Sequence, residues 1–373
     1  MELIGNRSGL AAIAETVAAE ALFAADTEAA GYHRYHDRIC LLQISTRSDT
    51  FLVDTLALES LAELEPFFSS PEHEVVFHDA DYDLRLLARD YGIRVGGLFD
   101  TKLAAQLIGE PSIGLGALAA KYLGVHLDKK HQRADWAQRP LPPGMLAYAA
   151  EDTRHLPALR DRLHEELERA GRLHWAAEEF RLREDARPEP DEGGEGYLRL
   201  KNTRDLDPRQ MAALRELHAW RDDVASQRDV ATFRVVGNDV LIAVARALAG
   251  DARRVARTEG VPNAIADRHG AAMAAAVQRA LDLPESDLPR RARVPRRPPP
   301  DPEFENLVER LKRARDAAAE ELAMERGFLM PRDQLEDVAR LRPGTAADLM
   351  QVPHMRSWQV EALGARLLGA AGE

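Results

Sequence analysis

Cysteine, long apolar runs and net positive charge are scarce in this chain. Its 373 residues include one cysteine, so no disulfide can form within the chain, as expected for a reducing compartment. Cys40 lies in an apolar stretch that predicts a buried strand, where a thiol most often serves as core packing. No apolar run approaches the ~20 residues that a membrane helix needs, and Met1 to Leu10 lack the apolar region of a signal peptide. We therefore expect a cytoplasmic protein without a membrane segment.

The balance of charge is acidic. Lysine and arginine number 50 against 62 aspartates and glutamates, which gives a net charge of −12. Such a chain is poorly suited to coating nucleic acid nonspecifically, because phosphate binding relies on dense positive charge. An enzyme that acts on a chain end is not excluded, since bound cations can reverse the field around a cluster of acids. The length and the 45% hydrophobic content allow two or three packed domains.

Four carboxylates and one tyrosine form the most informative pattern. Asp26 and Glu28 end an apolar run that indicates a buried strand, and side chains two apart on a strand share a face. Asp83 opens a helical stretch just after another strand-like run. Tyr148 and Asp152 lie four apart in a strongly helical segment, so they also share a face. Buried carboxylates need an offsetting charge, and oxygen ligands without a Cys/His set favour Mg²⁺ or Mn²⁺ over zinc.

Each of these residues also has an ordinary structural explanation when it is taken alone. Asp26 can cap a turn, and Glu28 can be a solvated surface acid. Asp83 suits the first turn of a helix because of the helix dipole, and Tyr148 can be a core residue with a solvated hydroxyl. The joint pattern, rather than any single member, favours a metal-dependent site.

Several short motifs follow one another in a characteristic order through the first half of the chain. Each motif alone is weak, but together they resemble ribonuclease D, a family of the DEDD exonuclease superfamily and its tyrosine subclass. The motifs are Asp26-Thr27-Glu28, Leu42-Gln43-Ile44, Phe77-His78, Asp83-Leu84, Leu127-Asp128-Lys129-Lys130, Arg133-Ala134-Asp135-Trp136, Arg139-Pro140-Leu141 and Tyr148-Ala149-Ala150-Glu151-Asp152.

This resemblance implies both a fold and a reaction. The fold would be an α/β ribonuclease H-like exonuclease domain, a mixed sheet with flanking helices, followed by two all-α HRDC-like helical domains. The reaction would be 3′-to-5′ exoribonuclease trimming of structured RNA such as tRNA precursors, with release of nucleoside 5′-monophosphates. Two divalent ions, Mg²⁺ or Mn²⁺, would activate water and stabilise the transition state. The oligomeric state is left open.

The resemblance also implies roles for the five residues. Asp26 would bridge both metals. Glu28 and Asp152 would bind mainly one metal, and Asp83 mainly the other, through water. Tyr148 would orient the attacking water, because a tyrosine with an ordinary pKa of ~10 is a poor base at neutral pH.

Five further residues are candidate substrate contacts, each with an ordinary alternative. Gln43 could support the site from a neighbouring strand, and His78 could contact the substrate or be a structural histidine. Lys129 and Arg133 belong to a basic stretch that could bind phosphate or be solvated. Trp136 is more often a core residue than a platform for a base.

Hydrophobic periodicity predicts alternating strands and helices over residues 1–180. The turn Arg47-Ser48-Asp49 predicts a hairpin between the second and third strands, while the first and fourth can pair in parallel. The expected strands are Ala21–Ala25, Ile39–Ser45, Thr50–Asp54, Val75–His78 and Leu98–Thr101. The expected helices are Gly9–Ala19, Leu58–Phe68, Tyr82–Tyr91, Lys102–Ile108, Leu115–Tyr122 and Gly144–Ala170.

Composition divides the chain into five parts. The basic run at 290–297 could contact RNA or act as an extended linker. The two helical parts could be degenerate repeats, although their sequences differ too much to establish this. The parts are the exonuclease domain (1–180), a charged linker (181–204), the first HRDC-like domain (205–283), a basic Pro-rich linker (284–302) and the second HRDC-like domain (303–373).

Two other functions remain compatible with the sequence. A DNA exonuclease of the same superfamily would use the same carboxylates, because the choice between RNA and DNA depends on contacts to the 2′-hydroxyl. A nonenzymatic RNA-binding scaffold is the other alternative, and the complete set of acids argues against it.

Overall fold

The computed structural model of the chain describes residues 3–128, 130–185, 187, 195–289 and 301–372. Lys129 and the basic run at 290–297 therefore lie outside the described residues. The chain divides into two compact units, of which the first comprises Met1–Glu28, Ile39–Pro188 and Arg297–Glu373, and the second Ala29–Arg38 and Glu189–Arg296. In the described part of the chain, no helix has both the length and the apolar character needed to cross a bilayer.

A six-stranded mixed sheet forms the centre of the first unit, in the order β1-β4-β3-β2-β5-β6. The strands β3 and β4 form the predicted antiparallel hairpin, and β2 runs parallel to β5. Because parallel strands end at the same edge of a sheet, the segments that follow β2 and β5 start close together. The strands are β1 (Leu3–Ile4), β2 (Leu22–Ala29), β3 (Ile39–Ser45), β4 (Thr50–Val53), β5 (Glu74–Phe77) and β6 (Leu98–Asp100).

The central strand β3 is buried along its whole length. The sequence prediction of this strand is confirmed, as is the burial of Cys40, which is 0% exposed. A strand covered on both faces consists of a continuous apolar run rather than an alternating pattern. On the next strand, Phe23 packs edge-on against Phe68 with ring centroids 5.1 Å apart.

Eight helices flank this sheet, and two of the helix predictions were wrong. The helix expected at Leu58–Phe68 is only Glu65–Ser69, because Pro66 fits the start of a helix and not its interior. The single helix expected at Gly144–Ala170 is broken at His155, two residues before Pro157. The helices are α1 (Arg7–Ala18), α2 (Glu65–Ser69), α3 (Asp81–Tyr91), α4 (Thr101–Ile108), α5 (Leu115–Leu123), α6 (Pro143–Arg154), α7 (Leu156–Arg169) and α8 (Leu173–Glu184).

Most of the remaining described chain forms two modules of five α-helices each, and two short 3-10 helices, Gly196–Arg199 and Glu285–Asp287, lie before and after the first module in the sequence. Each helix of the second module starts 94 positions after its counterpart in the first, so the modules are structural repeats without insertions. The first module contains α9 (Pro208–Arg228), α10 (Thr232–Val235), α11 (Asn238–Ala247), α12 (Ala252–Arg257) and α13 (Asn263–Asp282). The second contains α14 (Pro302–Glu321), α15 (Arg326–Leu329), α16 (Arg332–Leu341), α17 (Ala346–Leu349) and α18 (Ser357–Gly372).

Both repeats contain a buried arginine that donates a hydrogen bond to a carbonyl oxygen at the end of a helix. Arg221 in α9 donates to the carbonyl oxygen of Val236 at 3.1 Å. Arg315 occupies the same place in α14 and donates to the carbonyl oxygen of Met330. Both carbonyls end the short second helix of their module, where no backbone N–H continues the hydrogen-bond ladder. Both modules therefore use the same arginine contact although their sequences differ.

The second module packs on α8 of the exonuclease region. Trp358 stacks on Trp175 with ring centroids 5.3 Å apart, and its indole Nε1 donates to a carboxylate oxygen of Glu179 at 2.7 Å. Glu178 accepts from the backbone nitrogens of Ser357 at 2.8 Å and Trp358 at 3.1 Å. The start of α18 is therefore held by both stacked rings and carboxylate caps.

Candidate active site

Three carboxylates from two different elements meet beside the sheet. Asp26 and Glu28 lie on one face of β2, and Asp152 lies on α6. Each offers one oxygen, and these oxygens all lie within 4.8 Å of one another. Oxygens this close can bind the same cation. All three residues are also partly buried, so their negative charges are poorly solvated and favour a bound cation.

Asp83 approaches this group through Thr27. Its Oδ1 accepts hydrogen bonds from the backbone nitrogen of Thr27 at 3.0 Å and from Thr27 Oγ1 at 2.5 Å. Thr27 stands between Asp26 and Glu28, so a single strand positions three of the four acids. Asp83 is only 7% exposed and lies outside the three-carboxylate cluster. The role of Thr27 was not foreseen from the sequence, because its partner is 56 residues away.

Burial raises the pKa values of all four acids, and neighbouring negative charges add to the rise. Burial, followed by the charges of Asp83, Glu28 and Asp152, holds the pKa of Asp26 well above its ordinary value. Burial, followed by the charges of Asp152 and Asp83, raises the pKa of Glu28 to about 9. Burial raises the pKa values of Asp83 and Asp152 to about 7, although hydrogen bonds from Thr27 and Tyr148 oppose the rise. The raised pKa values mean that the ionised carboxylates are destabilised, and a bound divalent cation would offset their negative charge.

Tyr148 lies on the same helix as Asp152 and donates its hydroxyl to that carboxylate. Burial and the charge of Asp152 raise the pKa of Tyr148. Its ring lies between His131, at a centroid distance of 5.7 Å, and Trp136, at 6.2 Å. Trp136 is 2% exposed, so it packs beside Tyr148 and presents no open face to a base. The ring of Tyr148 is therefore held by aromatic contacts, while its hydroxyl is bonded to Asp152.

Gln43 is the most unusual polar residue near these elements. It is 0% exposed, and neither end of its amide has a hydrogen-bond partner among the described residues. Ser45, two residues along β3 and therefore on the same face, bonds Thr153 on α6 at 2.8 Å. Gln43 thus faces the helix that carries Tyr148 and Asp152.

His78 is held in place by a structural contact. Its Nδ1 lies 2.9 Å from Thr101 Oγ1, which itself donates to the carbonyl of Phe77, and burial lowers the pKa of His78. Next to it, Asp100 accepts from the backbone nitrogens of Asp79 at 3.0 Å and Ala80 at 2.9 Å. Asp100 therefore fixes the turn that begins α3 and aims Asp83. The sequence signal was an acid at a strand end followed by a helix, as for an N-cap.

Arg133, the remaining described candidate, is exposed. It lies two residues after His131, whose ring contacts Tyr148. The basic stretch therefore approaches the site at His131.

Comparisons with known proteins place this site in a family. A family model described as 3′-5′ exonuclease matches residues 1–168, and the HRDC domain model matches 210–277 and 304–370. A ribonuclease D of Gluconacetobacter diazotrophicus is 32% identical over 380 residues, which cover 99% of this chain and 95% of that protein. The chain belongs to the ribonuclease D family. All five residues of the predicted constellation fall in its exonuclease region.

Solved structures agree with the ribonuclease D assignment. RNase D of Escherichia coli, described as an exoribonuclease involved in structured RNA processing, aligns with a TM-score of 0.73 at 26% identity, covering 100% of this chain and 98% of that one. The catalytic core of RRP6 from Trypanosoma brucei aligns with a TM-score of 0.65 at 30% identity, covering 75% and 79%. The predicted mixed sheet followed by helical HRDC domains is confirmed, and its substrate is a nucleic acid. The family and the acidic cluster together support a divalent metal cofactor.

Proposed function

We propose that this chain is a metal-dependent 3′-to-5′ exoribonuclease that trims the 3′ ends of structured RNA, such as tRNA precursors, and releases nucleoside 5′-monophosphates. The observation that carries the proposal is the meeting of Asp26, Glu28 and Asp152 within 4.8 Å in the exonuclease region of a ribonuclease D family member. We further propose a cytoplasmic location and the five-part domain division given above.

In this proposal Asp26, Glu28, Asp83 and Asp152 hold two divalent ions, Mg²⁺ or Mn²⁺. Bound divalent ions supply an activated water and neutralise charge that develops on the phosphate. The raised pKa values of the four acids show why cations fit there, since each acid carries its charge at a cost until a cation offsets it. Thr27 keeps Asp83 aimed at the group through two hydrogen bonds.

Tyr148 keeps its proton in this scheme. Because burial and Asp152 raise its pKa, the hydroxyl is neutral near pH 7 and acts by orienting the attacking water rather than by removing its proton. The rings of His131 and Trp136 fix the direction of the hydroxyl. Trp136 then acts as a positioning residue for Tyr148.

The remaining candidates would contact the substrate. Gln43 is the exception, because it is 0% exposed. It would support the site from β3, and a buried water can supply the hydrogen-bond partner that its amide lacks among the described residues. Arg133 and Lys129 would contact phosphates. His78, whose ring is bonded to Thr101, would contact the substrate from the edge of the site as a neutral imidazole.

A time course on paired substrates tests the function. A 3′-extended tRNA and a single-stranded DNA of equal length, each labelled at the 5′ end, are incubated with Mg²⁺, Mn²⁺ or EDTA. We expect stepwise 3′ shortening of the RNA that is lost in EDTA. Asp26→Asn should lower this rate at least ~1,000-fold, as expected for loss of a preorganised charge at a reacting centre, while folding and RNA binding persist.

The controls separate the alternatives. Preferential loss of the DNA would instead indicate a DNA exonuclease. RNA binding without cleavage by the wild type would indicate a scaffold. Retained turnover by a clean Asp26→Asn preparation would refute the assignment of the metal site.

A further inference from the structure

An exposed aromatic pair stands out in the second unit. Tyr32 and Phe233 are 46% and 52% exposed, and Phe233 is the most exposed large apolar side chain in the described part of the chain. Their ring centroids are 5.6 Å apart with an interplanar angle of 51°. Large apolar groups that stay in contact with both one another and water mark interaction surfaces more often than packing. We refer to Tyr32 and Phe233 as the exposed ring pair.

Arg234 is held over this exposed ring pair. Its guanidinium carbon lies 5.4 Å from the centre of the Tyr32 ring and 5.6 Å from that of Phe233. The guanidinium is fixed by the carbonyl oxygen of Tyr32 at 3.2 Å and by His33 Nδ1 at 2.9 Å. Two aromatic faces beside a fixed guanidinium plane are the groups on which unpaired nucleobases stack.

The equivalent position in the second module is packed against other aromatic rings instead of being exposed. The positions equivalent to Phe233 and Arg234, 94 residues later, are Gly327 and Phe328. There Phe328 stacks on Trp358 at 6.1 Å, and Trp358 in turn stacks on Trp175. In the second module this position is therefore packed against neighbouring rings, whereas Tyr32 and Phe233 are 46% and 52% exposed.

The position of Tyr32 in the sequence connects the exposed ring pair to the nuclease chemistry. Tyr32 follows the metal-ligand candidate Glu28 by four residues, and four residues of chain span at most ~14 Å. A strand of RNA whose 3′ end is cleaved at the carboxylates must leave the site with its upstream bases unpaired. The bases of a single strand can leave their own stack and stack on protein rings, so an aromatic surface on this segment suits them.

We propose that the exposed ring pair binds unpaired bases of the substrate RNA upstream of the scissile bond, with Arg234 completing the stacking surface. The proposal rests on the exoribonuclease function proposed above. In this proposal the first helical module binds the single-stranded 3′ tail, and the second module has a structural role through its packing on α8.

Binding without catalysis tests this directly. A fluorescent RNA hairpin with a six-nucleotide 3′ tail is titrated in EDTA with wild type, Tyr32→Ala and Phe233→Ala, and binding is followed by anisotropy. Each substitution should raise Kd ~10-fold, in the range expected for loss of one base–aromatic stack. Phe233→Tyr should restore wild-type binding, because it keeps a stacking ring. A blunt hairpin should show no difference between the proteins.

Met350→Ala is the matched control, since Met350 is 47% exposed in the second module and should leave Kd unchanged. Melting temperatures of all variants should stay within a few degrees, because the replaced groups are largely in water. Wild-type affinity of both Tyr32→Ala and Phe233→Ala for the tailed RNA would overturn the proposal, whatever the catalytic result.

Hydrolysis separates this proposal from the function on which it rests. With Mg²⁺, Phe233→Ala should lower kcat/KM for the tailed hairpin by the same ~10-fold factor. It should leave cleavage of a dinucleotide unchanged, since both bases of a dinucleotide flank the scissile bond. An equal loss on the dinucleotide would contradict the upstream placement. Absence of any hydrolysis by the wild type would refute the exonuclease function, while the comparison in EDTA would still decide the stacking.

Discussion

At the scale of single residues, the proposed active site consists of buried acids whose pKa values are raised above their ordinary values. Glu28 illustrates this, because its pKa is raised to about 9 by burial and by two neighbouring carboxylates. In the unfolded chain the same side chain titrates near its ordinary value of 4.5. Ionising these acids in the folded protein therefore costs free energy, and a bound divalent cation would lower that cost.

The raised pKa values predict how strongly a divalent metal stabilises the protein at different pH values. Because the folded pKa values of Glu28, Asp83 and Asp152 are raised to about 9, 7 and 7, the folded state holds protons that the unfolded state has released. Their contribution to the free energy of unfolding is fully present below about pH 4 and is lost as pH rises to about 9. The increase in melting temperature on adding Mg²⁺ should therefore grow from pH 5 to pH 9.

Differential scanning fluorimetry in EDTA and in Mg²⁺ measures this increase. Glu28→Gln is the control, since it removes the carboxyl whose pKa is raised to about 9 and should flatten the pH dependence in EDTA. A stabilisation by Mg²⁺ that is the same at every pH would contradict this account of the site.

The hydroxyl of Tyr148 carries a second prediction. Tyr148→Phe removes the hydroxyl that we propose orients the attacking water, and it leaves the ring beside His131 and Trp136. We therefore expect kcat to fall ~100-fold with little change in Kd for RNA. Single-turnover cleavage measures the chemical step. Tyr122→Phe, which removes a hydroxyl bonded to Glu110 instead, should cleave at the wild-type rate. Equal losses in both variants would show that the effect is not specific to the site.

At the scale of elements, the contact between α8 and α18 fixes the second module. Trp358 is 2% exposed and stacks between Trp175 and Phe328. Trp358→Ala should lower the free energy of unfolding by ~3–5 kcal/mol, the usual cost of truncating a buried tryptophan. Chemical denaturation measures the loss, and Leu341→Ala, at a residue 42% exposed, should cost far less. Comparable losses would mean that this contact does not hold the module.

The elements also show what the sequence could and could not predict. The strand Ile39–Ser45 was predicted with its observed ends, because a run buried on both faces has an unambiguous pattern. Helix α8 was missed, since its buried residues are widely spaced and its carboxylates serve the second module. The spacing of Asp26 and Glu28 predicted a shared face, and α6 brings Asp152 to it. Thr27 was missed because its hydrogen bonds to Asp83, 56 residues away, leave no local pattern. Asp100 has a local signal only as the N-cap of α4, and nothing local indicates that it also accepts from Asp79 and Ala80.

At the scale of the whole molecule, the first unit needs both ends of the chain. It includes Arg297–Glu373 together with the exonuclease residues. A chain truncated after residue 296 would expose the face of α8 that carries Trp175, a large apolar ring that is 6% exposed in the intact protein.

The truncated chain should therefore melt at a lower temperature and aggregate more readily, because a newly exposed apolar face promotes association. Thermal scans with light scattering measure both effects. Trp175→Gln in the truncated chain should reduce the aggregation. A truncated chain as stable as the full one would show that the second module is dispensable for the first unit.

The second unit is assembled from two stretches of chain that are far apart in sequence, Ala29–Arg38 and Glu189–Arg296. The hydroxyl of Tyr35 donates to Asp222, 187 residues later, and the carbonyl of His33 accepts from the backbone nitrogen of Ala231 at 3.1 Å. During synthesis at ~5–20 residues per second, the early stretch leaves the ribosome on the order of 10–40 s before its partner exists. The segment that directly follows Glu28 therefore acquires its final neighbours only late in translation, after the strands around it have had time to pair.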